Sequence, residues 1–392
     1  TLGKVWVIVT SQQDIDELEK DIHSSQDFSK IQGRFNTRLS LSSANADEVI
    51  KKRLLEKNDT GKDAVQLLYT SEVKASLRNK INFSDGTISL KKYDTLKDFS
   101  EFYPMIPYQL DLLQQVFTKI RENSSAGKHF ASGERNLLGA VQYAALEYAE
   151  KDLGILIPFQ TFYGHLDQGL DHSVRATIIK AQSTPTLQSF DVDVLKVLYL
   201  IRYLKSVPST VENITTLMLD ELDADRLKLT ENITAALDRL TKEYLVQRTG
   251  LEYLFLTNEE QDINREINHM DIPTSKMQSY IGEMIYDTVL EMKKYKYVPF
   301  AEKKTVAYDF DCAKWIDESA RGNATAEIGI HVVTPYSDDY RTREELQQLS
   351  SRESRLVIAL GDSGTFYDDT MMLLKINEYL RSQSSKQNSG IK

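Results

Sequence analysis

The spacing of apolar residues changes period several times along the chain, and each change predicts an element. Lys4-Val5-Trp6-Val7-Ile8-Val9-Thr10 is an apolar, β-branched run, the pattern of a strand buried on both faces. Residues 11–25 are polar and helix-like, residues 34–41 read as a short extended segment, and residues 47–57 have helical spacing through Val49, Ile50, Arg53 and Leu54. Leu110, Leu113, Phe117 and Ile120, then Leu137, Val141, Ala144 and Tyr148, predict two amphipathic helices that pack together. A segment opening at Gly154-Ile155-Leu156-Ile157-Pro158-Phe159 runs to the polar Gln182-Ser183-Thr184-Pro185-Thr186, a boundary signal. Three helices follow, carried by Val194 to Leu204, Val211 to Leu219 and Leu229 to Leu240. Tyr244 to Arg248 and Glu252 to Leu256, with Thr249-Gly250 between them, predict a hairpin. Beyond residue 276 the pattern predicts a helix over 280–294, strands over 305–310, 328–333 and 356–360, a closing helix over 369–380, and a disordered polar tail over 382–392.

Composition narrows the class. The 392 residues imply two to four domains at roughly 100–200 residues each. Hydrophobic residues make up 41% and charged residues 27%, with only 17 Gly and 8 Pro, which is the balance of a folded, helix-rich chain. No apolar run in the sequence is long enough for a membrane span, and no signal peptide is expected. The single cysteine, Cys312, cannot form an internal disulfide, so a reducing cytoplasm is expected. A net charge of −10 argues against nonspecific attraction to nucleic acid by the chain as a whole.

Phosphate binding by a P-loop needs a glycine-rich loop ending in Gly-Lys-Ser or Gly-Lys-Thr. Gly127-Lys128 is followed by His129 and has Glu122 at the first-glycine position; Gly61-Lys62 is followed by Asp63 and has Glu56 there. Neither is such a loop, and no strand ending in paired acids precedes them. Three features nonetheless resemble the second half of an AAA+ nucleotide site. Thr10, Ser11 and Gln12 place hydroxyl and amide groups at the end of the first strand, where open α/β sheets bind ligands; alternatively the turn only caps the next helix, through Ser11 or Asp14. Arg34, in the pair Arg34-Phe35, resembles the arginine that reaches the γ-phosphate of a neighbouring subunit, with Arg38 as the alternative. Both would equally make surface ion pairs. Ser132-Gly133-Glu134-Arg135 opens a helix ending its second turn in Gly139-Ala140, so Arg135 sits in the first turn, where anions are favoured. It resembles the lid arginine of AAA+ proteins and DnaA-type initiators; alternatively it pairs with a carboxylate.

Longer segments are similar to one family, the P-loop ATPases called BrxC, or PglY in a related system, of bacteriophage exclusion (BREX). They are Gly3 to Ile15, Arg34-Phe35-Asn36-Thr37-Arg38-Leu39-Ser40-Leu41-Ser42-Ser43-Ala44-Asn45, Phe102-Tyr103-Pro104-Met105-Ile106-Pro107-Tyr108-Gln109, and Gly127-Lys128-His129 through Ala140. The resemblance covers roughly the first 150 residues. It implies a large bacterial AAA+ ATPase with ATP and Mg bound in the parent protein and none held tightly by this chain. The implied partners are other subunits of the same ATPase and other BREX components, including a methyltransferase and a phosphatase-like subunit, with no membrane. The phosphate loop and its acidic partner motif are missing, so the chain is expected to be a C-terminal fragment, beginning at the sensor strand, without ATP turnover of its own.

The expected fold is mostly α with α/β: the end of an AAA+ core over 1–57, a helical lid over 58–186, a winged-helix domain over 187–275, and a small α/β domain over 276–392. Winged helices often enter the major groove. Residues 190–260, however, carry 8 Lys and Arg against 13 Asp and Glu, and affinity for phosphates comes from cations. A protein-contacting role is therefore expected, with an initiator-like or regulatory DNA-binding module as the alternative and weak DNA contact allowed. No metal site is expected. His165 and His172, with Asp167 and Asp171 between them, read as a solvated helix face, and Asp309, Asp311 and Asp317 as acids beside strands.

Overall fold

A computed structural model describes residues 47–84, 90–123, 133–291, 294–298, 308–326, 328–337, 342–362 and 364–389, without the side chains of 133–135, 168 and 384–389. The fold is mostly helical with a mixed sheet, and the chain divides into two compact units at residues 261 and 262.

In the first unit, side-chain caps set the helix starts. Asn58 accepts from Gly61 N at 2.8 Å to open α1 (Asp59–Leu68), and Thr70 accepts from Val73 N at 3.2 Å to open α2 (Ser71–Lys80). Thr95 and Asp98 form a reciprocal capping box at α3 (Leu96–Phe102). The two amphipathic helices expected from residue spacing are α4 (Tyr108–Asn123) and α5 (Gly133–Glu147), and they pack on each other. Leu112, Leu113, Val116, Phe117 and Ile120 bury one face of α4. A short helix, α6 (Tyr163–Leu166), leads into α7 (His172–Ser183) and α8 (Ser189–Ile201). After these come α9 (Val211–Leu217) and α10 (Arg226–Lys242), then the antiparallel strands β1 (Val246–Thr249) and β2 (Glu252–Phe255). Gly250, at φ +61°, supplies the turn that a side chain would strain. A bridge from Thr210 to Glu252 adds a third short edge to the hairpin.

One buried cluster extends from Ile50 to Phe255 through all of these elements. Polar groups stitch it as well. Leu156 N donates to Asp220 O at 2.6 Å and Leu222 N to Gly154 O at 2.8 Å, so the 154–157 segment is zipped to the turn after α9. The buried Asn213 side chain accepts from Ser84 N and donates to Ser84 O and Pro208 O. The buried backbone groups in these loops are thereby satisfied without regular strands.

Lys57 is less comfortable. Burial pushes its ammonium down from the ordinary 10.5 to about 8, with Glu101 O at 3.4 Å as its hydrogen-bond acceptor. Because the folded value lies below the unfolded one, the unfolded state binds more protons between about pH 8 and 10.5, and this residue makes stability rise with pH across that window. Lys57→Met is expected to melt no lower than the wild type at pH 7 and to show a smaller rise in Tm from pH 7.5 to 10. Parallel Tm curves for the two proteins would place this ammonium in water.

The helix α11 (Asn258–Asn268) contains the division between the units. In the second unit, Pro273 precedes α12 (Thr274–Glu283), which continues as a π-helical stretch over Met284–Val289. Helix thus begins six residues before the expected 280 and ends before 294, because proline fixes the entry geometry. The alternating Lys-Tyr-Lys-Tyr that follows is β3 (Lys294–Tyr297), not helix. β4 (Tyr308–Ile316) pairs antiparallel with β3 through its first half and with β5 (Ser319–Arg321) through its second. β6 (Ile328–Val333) and β7 (Arg355–Ala359) continue the sheet in parallel, joined by α13 (Arg343–Glu353), as parallel neighbours require. The strand order is β3-β4-β6-β7, with β5 beside β4. The closing helix α14 (Phe366–Ser389) overruns its expected end, so the tail is helical to Ser389 rather than disordered. Met277, Ile281, Ile316, Tyr367 and Leu374 form one apolar cluster, and Tyr286, Ile330 and Val332 a second.

Candidate functional site

Of the residues singled out for nucleotide chemistry, Thr10, Ser11, Gln12, Arg34 and Arg38 lie outside the described residues. Arg135 is the third residue of α5, in its first turn as expected. Positions 135, 139 and 143 follow at intervals of four and share one face of that helix. The face is closely packed. A Cβ added to Gly139 would lie 2.5 Å from His165 Cε1, and one added to Gly164 would lie 2.4 Å from the Tyr143 hydroxyl. The His165 ring therefore rests on Gly139 and the Tyr143 ring on Gly164, each ring using the missing side chain of the other helix. Burial lowers the pKa of His165, favouring its neutral form. The sequence offered both glycines but not their pairing with rings more than twenty residues away.

The Phe102-Tyr103-Pro104-Met105-Ile106-Pro107-Tyr108-Gln109 segment proves to be a structural junction. Gln109, fully buried, accepts from Ile106 N at 2.9 Å and donates to Ile157 O at 2.6 Å, while Ile157 N donates to Pro104 O at 3.0 Å. The Tyr103 hydroxyl accepts from Gly154 N at 2.8 Å, the Tyr93 hydroxyl donates to Met105 O, and the Tyr108 hydroxyl donates to Thr216 O at 3.2 Å. Such a densely satisfied set of buried polar groups holds loops in place. It leaves these groups committed to the fold.

In the α8–β2 region, α10 is the helix a groove-binding module would present. Its two arginines point their charge inward. Arg226 donates to Lys80 O and to Thr216 Oγ1 at 3.0 Å. Arg239 grips the buried Asp191 with two bonds, Nε to Oδ2 at 2.8 Å and Nη2 to Oδ1 at 2.6 Å. Asp191 also accepts from Gln188 N at 2.9 Å, closing the capping box at the start of α8. What remains exposed on α10 is Leu227, Lys228, Glu231, Asn232, Thr234, Ala235, Asp238 and Lys242, a surface with no excess of positive charge.

The acids near the strands divide by environment. Asp309 and Asp311 are exposed on β4. Asp317 is buried, at φ +46°, and its carboxylate accepts from Thr334 N at 2.6 Å and Thr334 Oγ1 at 2.8 Å. Desolvation raises its pKa, opposed by those hydrogen bonds. It ties β4 to the end of β6. No group of three or more His, Cys, Asp or Glu able to hold a metal occurs among the described residues, His165 and His172 included. Nor, among them, is any helix long and apolar enough to cross a membrane.

A small mixed sheet with a parallel core and covering helices defines the C-terminal unit as an α/β domain. Residues 270–392 match the family described as BREX ATP-binding protein BrxC 4th domain with six-stranded beta sheet. The described residues supply five strands. The C-terminal region of this chain is that of a BrxC-family protein, and the class of protein it indicates is a component of BREX phage defence. No solved structure matches the chain.

Proposed function

We propose that the chain is the sensor, lid and winged-helix part of an AAA+ P-loop ATPase of a BREX system, coupling nucleotide state to contacts with partners. ATP and Mg would be bound by the complete ATPase, and the partners would be other subunits of it and other BREX components. The order of elements supports this reading: a helix pair with Arg135 in a first turn, followed by helix, short edge, two helices and a hairpin, the succession of a winged helix. The observation that carries the choice between protein and DNA as the contact is the inward commitment of Arg226 and Arg239. With both guanidiniums spent on the fold, α10 has only Lys228 and Lys242 to neutralise phosphates, beside Glu231 and Asp238.

Two measurements test the reading. A duplex titrated with the chain at low salt should bind weakly and without sequence preference; submicromolar, sequence-specific binding at physiological salt would favour the initiator-like alternative. The chain alone should turn over no ATP above a buffer blank, since neither Gly-Lys pair forms a phosphate loop. Turnover by this chain would overturn the division of labour proposed for it.

A further inference from the structure

A β-strand turns the main-chain groups of successive residues to opposite sides, and β7 shows which side each residue serves. Leu360, just beyond its end, donates its N–H to Val333 O of β6 at 2.9 Å, so by alternation Leu356 and Ile358 also turn their groups to β6. Arg355, Val357 and Ala359 turn theirs away. Ser350 Oγ agrees with that direction, donating to Arg355 O at 2.6 Å from α13. Among the described residues, no strand pairs with β7 on this outer side. Open edges are commonly guarded by lysines, prolines or bulges, because their free groups recruit other strands. β3, at the other end of the sheet order, carries Lys294 and Lys296. β7 has no such guard. It reads Arg-Leu-Val-Ile-Ala, and its register with β6 runs unbroken from Gly329↔Arg355 to Val333↔Ala359. Its one charge is committed to the fold: the Arg355 guanidinium carbon lies 3.9 Å from the centre of the Trp315 ring, and Nη1 pairs with Glu353 at 3.1 Å. Leu356 shares the face on which Ile358 packs against Tyr286, Ile330 and Val332, yet it is 61% exposed.

The strand's own sequence matches this edge. Antiparallel pairing about a two-fold axis at Val357 sets Val357 opposite Val357 of a second copy and Arg355 opposite its Ala359. All of these are outward-turned residues, so each pair exchanges both N–H···O bonds. Leu356 then stands across from Ile358 of the second copy on the apolar face, and symmetry repeats the contact. The only charge, Arg355, meets an alanine. No other register sets every β7 residue against a β7 residue. An axis at Leu356 would draw in Ser354, held left-handed at φ +49°, and Glu353 of α13; an axis at Ile358 would draw in Gly361, beyond the strand. An axis between residues would oppose outward-turned groups to inward-turned ones. A self-matching edge is what a second copy of the same chain supplies and an arbitrary extended peptide lacks.

We propose that two copies of this chain join through the outer edges of their β7 strands, continuing the sheet across a two-fold axis at Val357. The interface does not rest on the nucleotide chemistry proposed for the first unit. A strand pair of this length is smaller than the interface of a permanent dimer, so the dimer is weak and concentration-dependent. Sedimentation equilibrium of the full chain over a wide range of concentration should show monomer and dimer in exchange. Leu356→Lys places an ammonium across from Ile358 of the second copy, twice over by symmetry, and should raise the dissociation constant about tenfold with the Tm of the wild type, since the position is exposed in the monomer. Cross-linking tests the register. In a Cys312→Ser background, Val357→Cys should give a disulfide-linked dimer on mild oxidation, because hydrogen-bonded partners stand about 5.5 Å apart at Cα, within disulfide reach. Ala359→Cys should not, its symmetry mate lying about 13 Å away along the strand. Should Leu356→Lys unfold, the two cysteine variants decide by themselves. A wild-type monomer at every concentration would overturn the proposal, and slow exchange of the Val357 and Ala359 amides in that monomer would assign the edge to a strand of the same chain instead. A dimer left unchanged by Leu356→Lys, or cross-linked through residue 359 and not 357, would overturn it equally.

Discussion

Arg239→Met is expected to destabilise the first unit by about 3–5 kcal/mol, the cost of leaving a buried ionised partner uncompensated. Asp191 has no exposed surface and receives both the Nε and Nη2 of Arg239. Methionine keeps most of the arginine's length and apolar stem but donates nothing. At roughly 2–4 °C per kcal/mol for a unit of this size, Tm should fall by about 6–20 °C. The double variant Asp191→Leu/Arg239→Met removes both charges and should recover most of the loss, although Gln188 N then loses its capping acceptor. A drop of a degree or less in the single variant would show that the pair is weaker than its burial suggests. The same measurement bears on function. If Arg239 is needed for the fold, it is not held in reserve for a phosphate, and duplex binding by the double variant should equal that of the wild type.

Much of this was legible in the sequence wherever one face of an element is buried. β6 occupies the expected residues 328–333, and the hairpin around Gly250 follows from alternation and a glycine turn. β4 was harder to read, since Asp309, Asp311 and Lys314 interrupt its apolar pattern and it extends to Ile316 only because partners on both sides satisfy its backbone. The tail of α14 is polar, yet the helix is anchored by the buried Tyr367 and Leu374, and adding residues to an existing helix costs little. Among candidate site residues, only the helical position of Arg135 could be compared with the structure, and helix-start signals placed it correctly. The contact of His165 with Gly139 and the inward turn of Arg226 and Arg239 depend on tertiary neighbours that no local pattern encodes. The Phe102–Gln109 segment shows the converse: its wording is distinctive, but its hydrogen bonds assign it to structure.

In the complete ATPase proposed above, Arg34→Ala and Arg135→Ala should fail in different ways. Arg135, in the first turn of a lid helix whose face is fixed by His165 and Tyr143, would contact nucleotide bound to its own subunit. Its loss should weaken nucleotide binding or uncouple binding from lid closure. Arg34 would act across a subunit boundary on charge that develops in the transition state. Its loss should leave nucleotide affinity nearly intact and lower turnover by roughly 10³ or more, the contribution of an arginine finger. Mixing separates action in cis from action in trans. A subunit carrying Arg34→Ala, combined with one disabled in its phosphate loop, should regain activity, because the first keeps an intact nucleotide site and the second supplies the arginine to it. An Arg135→Ala subunit in the same mixture should not, because the lid that would close over its nucleotide is its own. Wild-type hydrolysis by both single variants would mean that neither arginine serves the nucleotide, and that the likeness of their segments to AAA+ proteins reflects packing.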